Sequence, residues 1–301
     1  MVARSTTHRR RSDITQLAAN SRAMLFYGVM DELLDLLAHH DENVALDVAA
    51  LQLATIEHPD LNLEPYLGLL DSHATEFSER VDDDTSGEEF VELLNHYLVE
   101  ELGFRGNQDD YYSPANSCLN IVLAERVGIP ITLSLVYIEI ARRLRRPIYG
   151  IGLPGHFLVQ YDDGEFSTFI DPFNGGQLLF EQECLELARQ VTGAGVSADS
   201  SVLAPVNKRH IMIRMLNNLR AVYFKLQDPT KSSSVLDLLI AADPSAAEAY
   251  KHRGICRAQL ELFKGARTDF ETYLKLEPLA FDRAEVEAQI ERMKRWLAKL
   301  H

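Results

Sequence analysis

Cysteine is scarce in this chain. Cys118, Cys184 and Cys256 are the only three in 301 residues, and they are far apart, odd in number and free of any C-x-x-C spacing. Neither a disulfide framework nor a zinc site is indicated, and each reads as a buried free thiol in a reducing cytoplasm. Positive charge is also short. Thirty Lys and Arg stand against forty-five Asp and Glu, a formal charge of −15, which excludes the basic footprint of general nucleic-acid or anionic-membrane binding. No apolar run approaches the length of a membrane span. The start, MVARSTTHRRRSD, is basic with no apolar segment behind it, so residues 1–12 read as a tail rather than a secretory signal. Ten histidines include no H-E-x-x-H; His39-His40-Asp41-Glu42 reads as a polar helix end, and Asp82-Asp83-Asp84 lacks EF-hand spacing. No cofactor or metal site is indicated.

What is present is mostly helical periodicity. Residues 13–104 read as a helical N-terminal region. Apolar residues recur at Met30, Leu33, Leu34, Leu36 and Leu37; an Ala- and Leu-rich stretch runs over Asn43–Ile56; Leu61–Val81 carries a Pro65 break; and Ser86 with Glu89 gives a capping box opening Phe90–Leu102. Residues 105–127 then supply turn chemistry, the aromatic pair Tyr111-Tyr112, and a helix over Ser117–Arg126 with Cys118 in its first turn, where the dipole favours a thiolate. Asn116 reads either as a cap or as a polar site residue.

The stretch Gly128–Gly176 combines both periodicities. Leu133, Val136, Tyr137, Ile140 and Leu144 line a helix face that starts near Pro130, with Thr132 as N-cap. Arg142, Arg143, Arg145 and Arg146 complement the dipole at its end, and Pro147 stops it. Strand-like runs follow over Ile148–Gly152, His156–Tyr161 and Glu165–Asp171. Asp163-Gly164 is a two-residue hairpin signal, and such a turn puts His156 directly opposite Asp171. An Asp there can orient an imidazole and stabilise its charged form; alternatively Asp171, preceding Pro172, caps a turn.

Several runs in this region resemble the transglutaminase-like, papain-type superfamily. They are Glu101-Leu-Gly-Phe-Arg-Gly-Asn107, Asn116-Ser117, Gly128-Ile-Pro130, Leu153-Pro-Gly-His-Phe157 and Ile170-Asp-Pro-Phe-Asn-Gly-Gly176. The closer resemblance is to its bacterial SirB-type subfamily, in which such a domain precedes tetratricopeptide repeats. The resemblance implies an α+β core in which His156 is the superfamily's His and Asp171 its Asp. It also implies a Cys near Pro130. The window Gly128–Ser134 has none and offers only Thr132 and Ser134. Ser134 or Thr132 serves as nucleophile, or Cys118 approaches from the preceding helix, or the thiol chemistry is lost; the last is the reading adopted.

The C-terminal third carries the repeat. Pro244 and Pro278 lie one tetratricopeptide period apart, about 34 residues, and Tyr250, Gly254, Ala266 and Phe270 occupy signature positions between them. The expected helices are 207–226, 230–241, 245–260, 263–276 and a capping helix at 281–300. The expected order is thus a tail (1–12), a helical region (13–104), a transglutaminase-like core (105–191), a linker (192–205) and a repeat region (206–301). The function expected is a non-catalytic module that binds a protein or peptide through the cleft and the repeats, in a regulatory or scaffolding role. The alternative is an amide or ester hydrolase or acyl transferase built on His156 and Asp171.

Overall fold

The computed structural model describes residues 30–40, 43–192 and 200–298. The expected tail and half of the expected linker (193–199) lie outside the described residues, as do Asp41 and Glu42. The described residues divide into two compact units: those from 43 to 218, and those from 219 to 298 together with 30–40. The division falls inside one helix, past the 192–205 linker, and the first described helix goes with the C-terminal unit.

In chain order the helices and strands begin with α1 (Asp31–Leu34), continued by a π-helical turn, Asp35–His39, whose buried side chains are Leu33, Leu36 and Leu37. Next come α2 (Leu46–Ala54), α3 (Glu64–Ser78) and α4 (Gly87–Asn95), the last extended by a π-helical segment, His96–Glu101. Pro65 sits in the first turn of α3, where its missing N–H costs nothing, so it starts that helix rather than breaking it. The Ser86 hydroxyl accepts from the Glu89 N–H and caps α4. Strand β1 (Arg105–Gly106) pairs in parallel with β2 (Val127–Gly128), and between them lie a 3₁₀ turn, Pro114–Ser117, and α5 (Leu119–Glu125). Cys118 is the N-cap residue of α5, just outside the first turn, and is buried.

Helix α6 (Pro130–Arg143) is the axis of the first unit. Sequence periodicity indicates one apolar face; in the structure every residue from Pro130 to Tyr137 is buried, together with Glu139, Ile140 and Ala141. Helices α2, α3 and α5 and strands β3 and β4 all pack on it. Its N-cap is Ile129. Thr132 stands three positions further on, where its hydroxyl reaches back to the Ile129 N–H and donates to the Asn116 carbonyl at 2.7 Å. The arginines at its end do more than answer a dipole. Arg143 donates to Asp47 at 2.6 Å, to Asp71 at 2.7 Å and to Glu139 at 2.8 Å, tying α6 to α2 and α3.

The sheet is antiparallel in the order β3 (Ile148–Ile151), β4 (Leu158–Asp162), β5 (Ser167–Asp171), β6 (Gln177–Leu179). The β4–β5 register pairs Asp162 with Ser167 and Val159 with Ile170, leaving a four-residue loop, Asp163–Phe166, in place of the two-residue turn. The cause is the Asp163 carboxylate, which accepts from the backbone N–H groups of Glu165 and Phe166 and draws both into the turn. Helix α7 (Glu181–Thr192) covers a small core formed by Ile151, Leu158, Leu179, Cys184 and Leu203. Cys184 is therefore a core residue, and burial pushes its thiol pKa up to about 12.

Helix α8 (Lys208–Lys225) spans the division. It is followed by α9 (Pro229–Ala242), α10 (Ala247–Gln259), α11 (Phe263–Leu276) and α12 (Arg283–Ala298), each within three residues of its sequence-expected end points. In the C-terminal unit α1 and its π turn pack against α9. The crossing of α10 and α11 is close because Gly254 has no side chain: a Cβ there would lie 3.0 Å from the Phe270 ring. The fold is mostly helical with one small antiparallel sheet, an α+β arrangement, as the residue patterns indicate.

Candidate functional site

The site is built by the approach to β4 and the exit from β5. Leu153-Pro-Gly-His156 forms a turn in which Gly155 has φ of 69°, a conformation that strains any other residue. The turn leaves His156 ahead of β4 rather than inside it. The register differs from a two-residue hairpin by two positions, and a slip of two keeps every side chain on its own face. His156 and Asp171 consequently still meet: Nε2 donates to Oδ2 at 2.7 Å. Asp171 also plays its other expected part. Oδ1 accepts from the backbone N–H groups of Phe173 and Asn174, and Oδ2 accepts in addition from the Asn174 side chain at 2.8 Å. Asp171 is 2% exposed, and its charge presses the buried Tyr137 phenol further above its ordinary pKa, in the direction burial already drives it.

None of the three nucleophile candidates is hydrogen-bonded to this imidazole. Among the described residues no hydroxyl or thiol is hydrogen-bonded to the His156 ring; Asp171 is its partner. The Thr132 hydroxyl is engaged by Asn116 and Ile129. The Cys118 thiol donates to the Pro114 carbonyl at 3.4 Å. The Ser134 hydroxyl is wholly buried with no hydrogen-bond partner. No group of three or more His, Cys, Asp and Glu among the described residues could hold a metal ion.

Aromatic side chains stand around the imidazole. The Phe173 ring lies edge-on to His156 with centroids 6.2 Å apart, and Tyr111 lies edge-on to Phe173 at 6.0 Å. Gly106 makes this arrangement possible, since a Cβ there would come within 2.6 Å of the Phe173 ring and carbonyl. Asn116 proves to be a brace: it donates to the carbonyls of Asp110 and Tyr111 and accepts from Asn107, which fixes the loop that carries Tyr111. Arg214 on α8 completes the group. Its Nη2 donates to the carbonyls of Leu153 and His156, and its guanidinium lies 5.5 Å from the Phe157 ring centroid. Sequence reasoning missed Arg214. The signal available was a lone Arg within the apolar run Ile211-Met-Ile-Arg-Met-Leu216.

The C-terminal unit has a separate surface of interest. A groove of about 500 Å³ is lined by the apolar Ile255, Phe263, Met293 and Trp296 and by charges of both signs, Lys251, Arg292, Asp282 and Glu285. The Phe263 and Trp296 rings pack at 4.3 Å, and Ile255 and Trp296 remain part-exposed.

Fold and site together define a helix-wrapped antiparallel sheet carrying a His–Asp pair, joined to antiparallel helix repeats. The family comparison agrees. Residues 64–217 match the model of a transglutaminase-like superfamily core, and residues 219–291 match a tetratricopeptide repeat. The chain belongs to the transglutaminase-like superfamily. It is 36% identical over 241 residues to a UPF0162 protein of Xylella fastidiosa, covering 79% of this chain and 86% of that protein. It is 32% identical over 189 residues to F-box only protein 21 of Homo sapiens, covering 55% of this chain and 28% of that one. A solved structure, the first TPR of Spaghetti (RPAP3) bound to an HSP90 peptide, is 24% identical with a TM-score of 0.26, covering 38% of this chain and 76% of that one. Among the described residues no helix is long and apolar enough to cross a membrane.

Proposed function

We propose that this protein is a non-catalytic transglutaminase-like module that binds a protein or peptide, with a regulatory or scaffolding role. The observation that carries this reading is the surroundings of the His156 imidazole. A papain-type mechanism needs a nucleophile within hydrogen-bond reach of the base. Here the ring is held by Asp171, while Thr132, Ser134 and Cys118 are buried and make no hydrogen bond to it. The tetratricopeptide helices and their part-apolar groove support the binding half of the reading, since such repeats present concave surfaces to partner chains.

The test is exposure of the purified protein to broad electrophilic probes for serine and cysteine nucleophiles, read by mass spectrometry beside a His156→Ala control. The expected result is no labelling that depends on His156. Labelling of Ser134, Thr132 or Cys118 that vanishes in the control overturns it. The binding half is tested by peptide display against the wild type and Trp296→Ala, with loss of the selected peptides expected in the variant.

The intact His156–Asp171 hydrogen bond supports a second reading, an amide or ester hydrolase or acyl transferase with His156 as general base. It requires one of the buried hydroxyls or Cys118 to be delivered to the imidazole, and a positive probe result is the outcome that would select it.

A further inference from the structure

Arg214 carries a charge that no acid neutralises. Several part-buried arginines are paired, Arg143 with Asp47 and Arg253 and Arg257 with Asp269, whereas Arg146 gives its hydrogen bonds to the carbonyls of Asp82 and Thr85. Among the described residues no carboxylate lies within ion-pair distance of Arg214, whose hydrogen bonds go to the carbonyls of Leu153 and His156. Burial holds the guanidinium below its ordinary pKa, and the nearby Tyr111 phenol acts in the opposite sense. Removing a cation from water without a counter-charge is costly, so an anion that reaches it gains more than at a solvated arginine. The rim is aromatic. Tyr111 and Tyr112 are 39% and 56% exposed, their rings meet edge-on at 5.4 Å, and Tyr111 leads to Phe173 and so to His156. Arginine beside exposed tyrosines is the composition of a recognition hot spot.

We infer that Arg214, Tyr111, Tyr112 and Phe173 form a carboxylate-recognition site beside His156, taking a peptide whose carboxylate adjoins an apolar side chain. This rests on the binding reading above and names its ligand. A carboxylate fits better than a phosphate. The guanidinium offers one positive charge, Asp171 is hydrogen-bonded to the His156 ring, and the chain carries −15 overall, so a monoanion is matched and a dianion is opposed. With Nη2 given to the two carbonyls, Nη1 and Nε remain to donate singly to a carboxylate oxygen, while the phenol of Tyr111 supplies a neutral donor. The aromatic rim then covers the apolar neighbour of the charged group.

The experiment uses the full chain labelled with ¹³C and ¹⁵N histidine, followed by NMR. The probes are N-acetylphenylalanine and N-acetylphenylalanine amide, which differ only in the carboxylate. The acid is expected to shift the His156 imidazole saturably, and the amide to bind about tenfold or more weakly, in line with the loss of a charge-assisted hydrogen bond. Arg214→Gln is expected to bring the acid down to the level of the amide and leave the amide unchanged. Arg214→Lys keeps the charge with fewer donors and is expected to fall between them. Equal binding of acid and amide overturns the carboxylate site while leaving an apolar cleft that still binds. An Arg214→Gln variant that weakens both probes alike identifies Arg214 as a staple of the Leu153–His156 turn and overturns the inference. Absence of any shift with either probe overturns it too, and peptide capture that depends on Trp296 then reports separately on the repeats. A second arm compares peptides ending in Phe with a free or amidated C-terminus against peptides with an internal Glu-Phe pair. It tells a terminal carboxylate from a side-chain one.

Discussion

Asp171 Oδ2 and His156 Nε2 are 2.7 Å apart, and the same carboxylate accepts from two backbone N–H groups and the Asn174 amide. One buried side chain thus orients the imidazole and folds the turn after β5. The structural share of its work predicts a large effect on stability. Asp171→Ala strands four donors, two of them backbone, and is expected to cost about 3 kcal/mol, the range for breaking a buried hydrogen-bond network. Chemical denaturation of wild type and variant reads this as a lower midpoint. His156→Ala leaves the turn-capping bonds in place and is expected to cost clearly less. Equal losses in the two variants would contradict the division of labour.

Ser134 yields the opposite sign. Its hydroxyl is wholly buried in α6 without a partner, a desolvation cost with no return unless the group does chemistry. Ser134→Ala removes that oxygen and adds helix propensity. It is expected to raise stability by about 1 kcal/mol, seen as a higher melting temperature with no loss of ligand binding. A destabilised variant would mean that the hydroxyl has a role in the native protein beyond the packing described.

Much of this could be read from the residues, and what could not has physical causes. Helix positions were legible because apolar spacing at three and four residues is local; α11 falls on Phe263–Leu276 as its pattern indicates. The His156–Asp171 meeting was legible through face parity rather than register. The sequence cue of Asp163-Gly164 suggests a two-residue turn, and Asp163 instead caps its own loop, but a two-residue slip leaves the facing unchanged. Thr132 was misread as an N-cap because a hydroxyl at the third helical position can also answer an end N–H, here that of Ile129. Arg214 was invisible because its partners are backbone carbonyls far away in sequence, and backbone leaves no trace in residue type. The clustering of Arg143 with Asp47, Asp71 and Glu139 was hidden for the related reason that three separate helices supply it.

The repeats contain their own stability test. Asp269 on α11 is 2% exposed and accepts from Arg253 at 2.6 Å and from Arg257 at 2.9 Å, while Asp237 on α9 shares the same two arginines. The two acids and two arginines together join three successive helices, α9, α10 and α11. Removing Asp269 leaves two part-buried guanidiniums with a single acid between them. Asp269→Ala is expected to cost about 3 to 5 kcal/mol, as for other buried pairs broken on one side. The C-terminal unit should then lose helix at a lower temperature than the transglutaminase-like unit, visible by circular dichroism as an added early transition. Asp269→Asn, which keeps the acceptor oxygen, should recover part of the loss.

Acid sensitivity should trace to His73. It is buried on α3, with its ring edge-on to Tyr97 and Phe104 and Nδ1 3.3 Å from the Tyr97 hydroxyl, which itself donates to Glu76 at 2.9 Å. Burial is the main cause that holds its pKa below the ordinary value; Glu76 opposes the shift and Arg126 adds to it. The folded state therefore prefers the neutral ring, whereas the unfolded chain takes up a proton near the ordinary histidine value of about 6.5. Between the folded and unfolded pKa values the unfolded state binds more protons, so stability rises with pH in that window. The contribution is complete above about pH 6.5 and is lost as pH falls through the lower folded-state value. His252 on α10 is shifted the same way by burial and adds to the trend. The melting temperature of the wild type is expected to fall between pH 7.5 and 5.5, and His73→Gln is expected to flatten that slope whatever its own stability at pH 7.5. The slope is the quantity to compare, because a constant offset from lost packing cancels. An unchanged slope in the variant would assign the acid sensitivity to other groups.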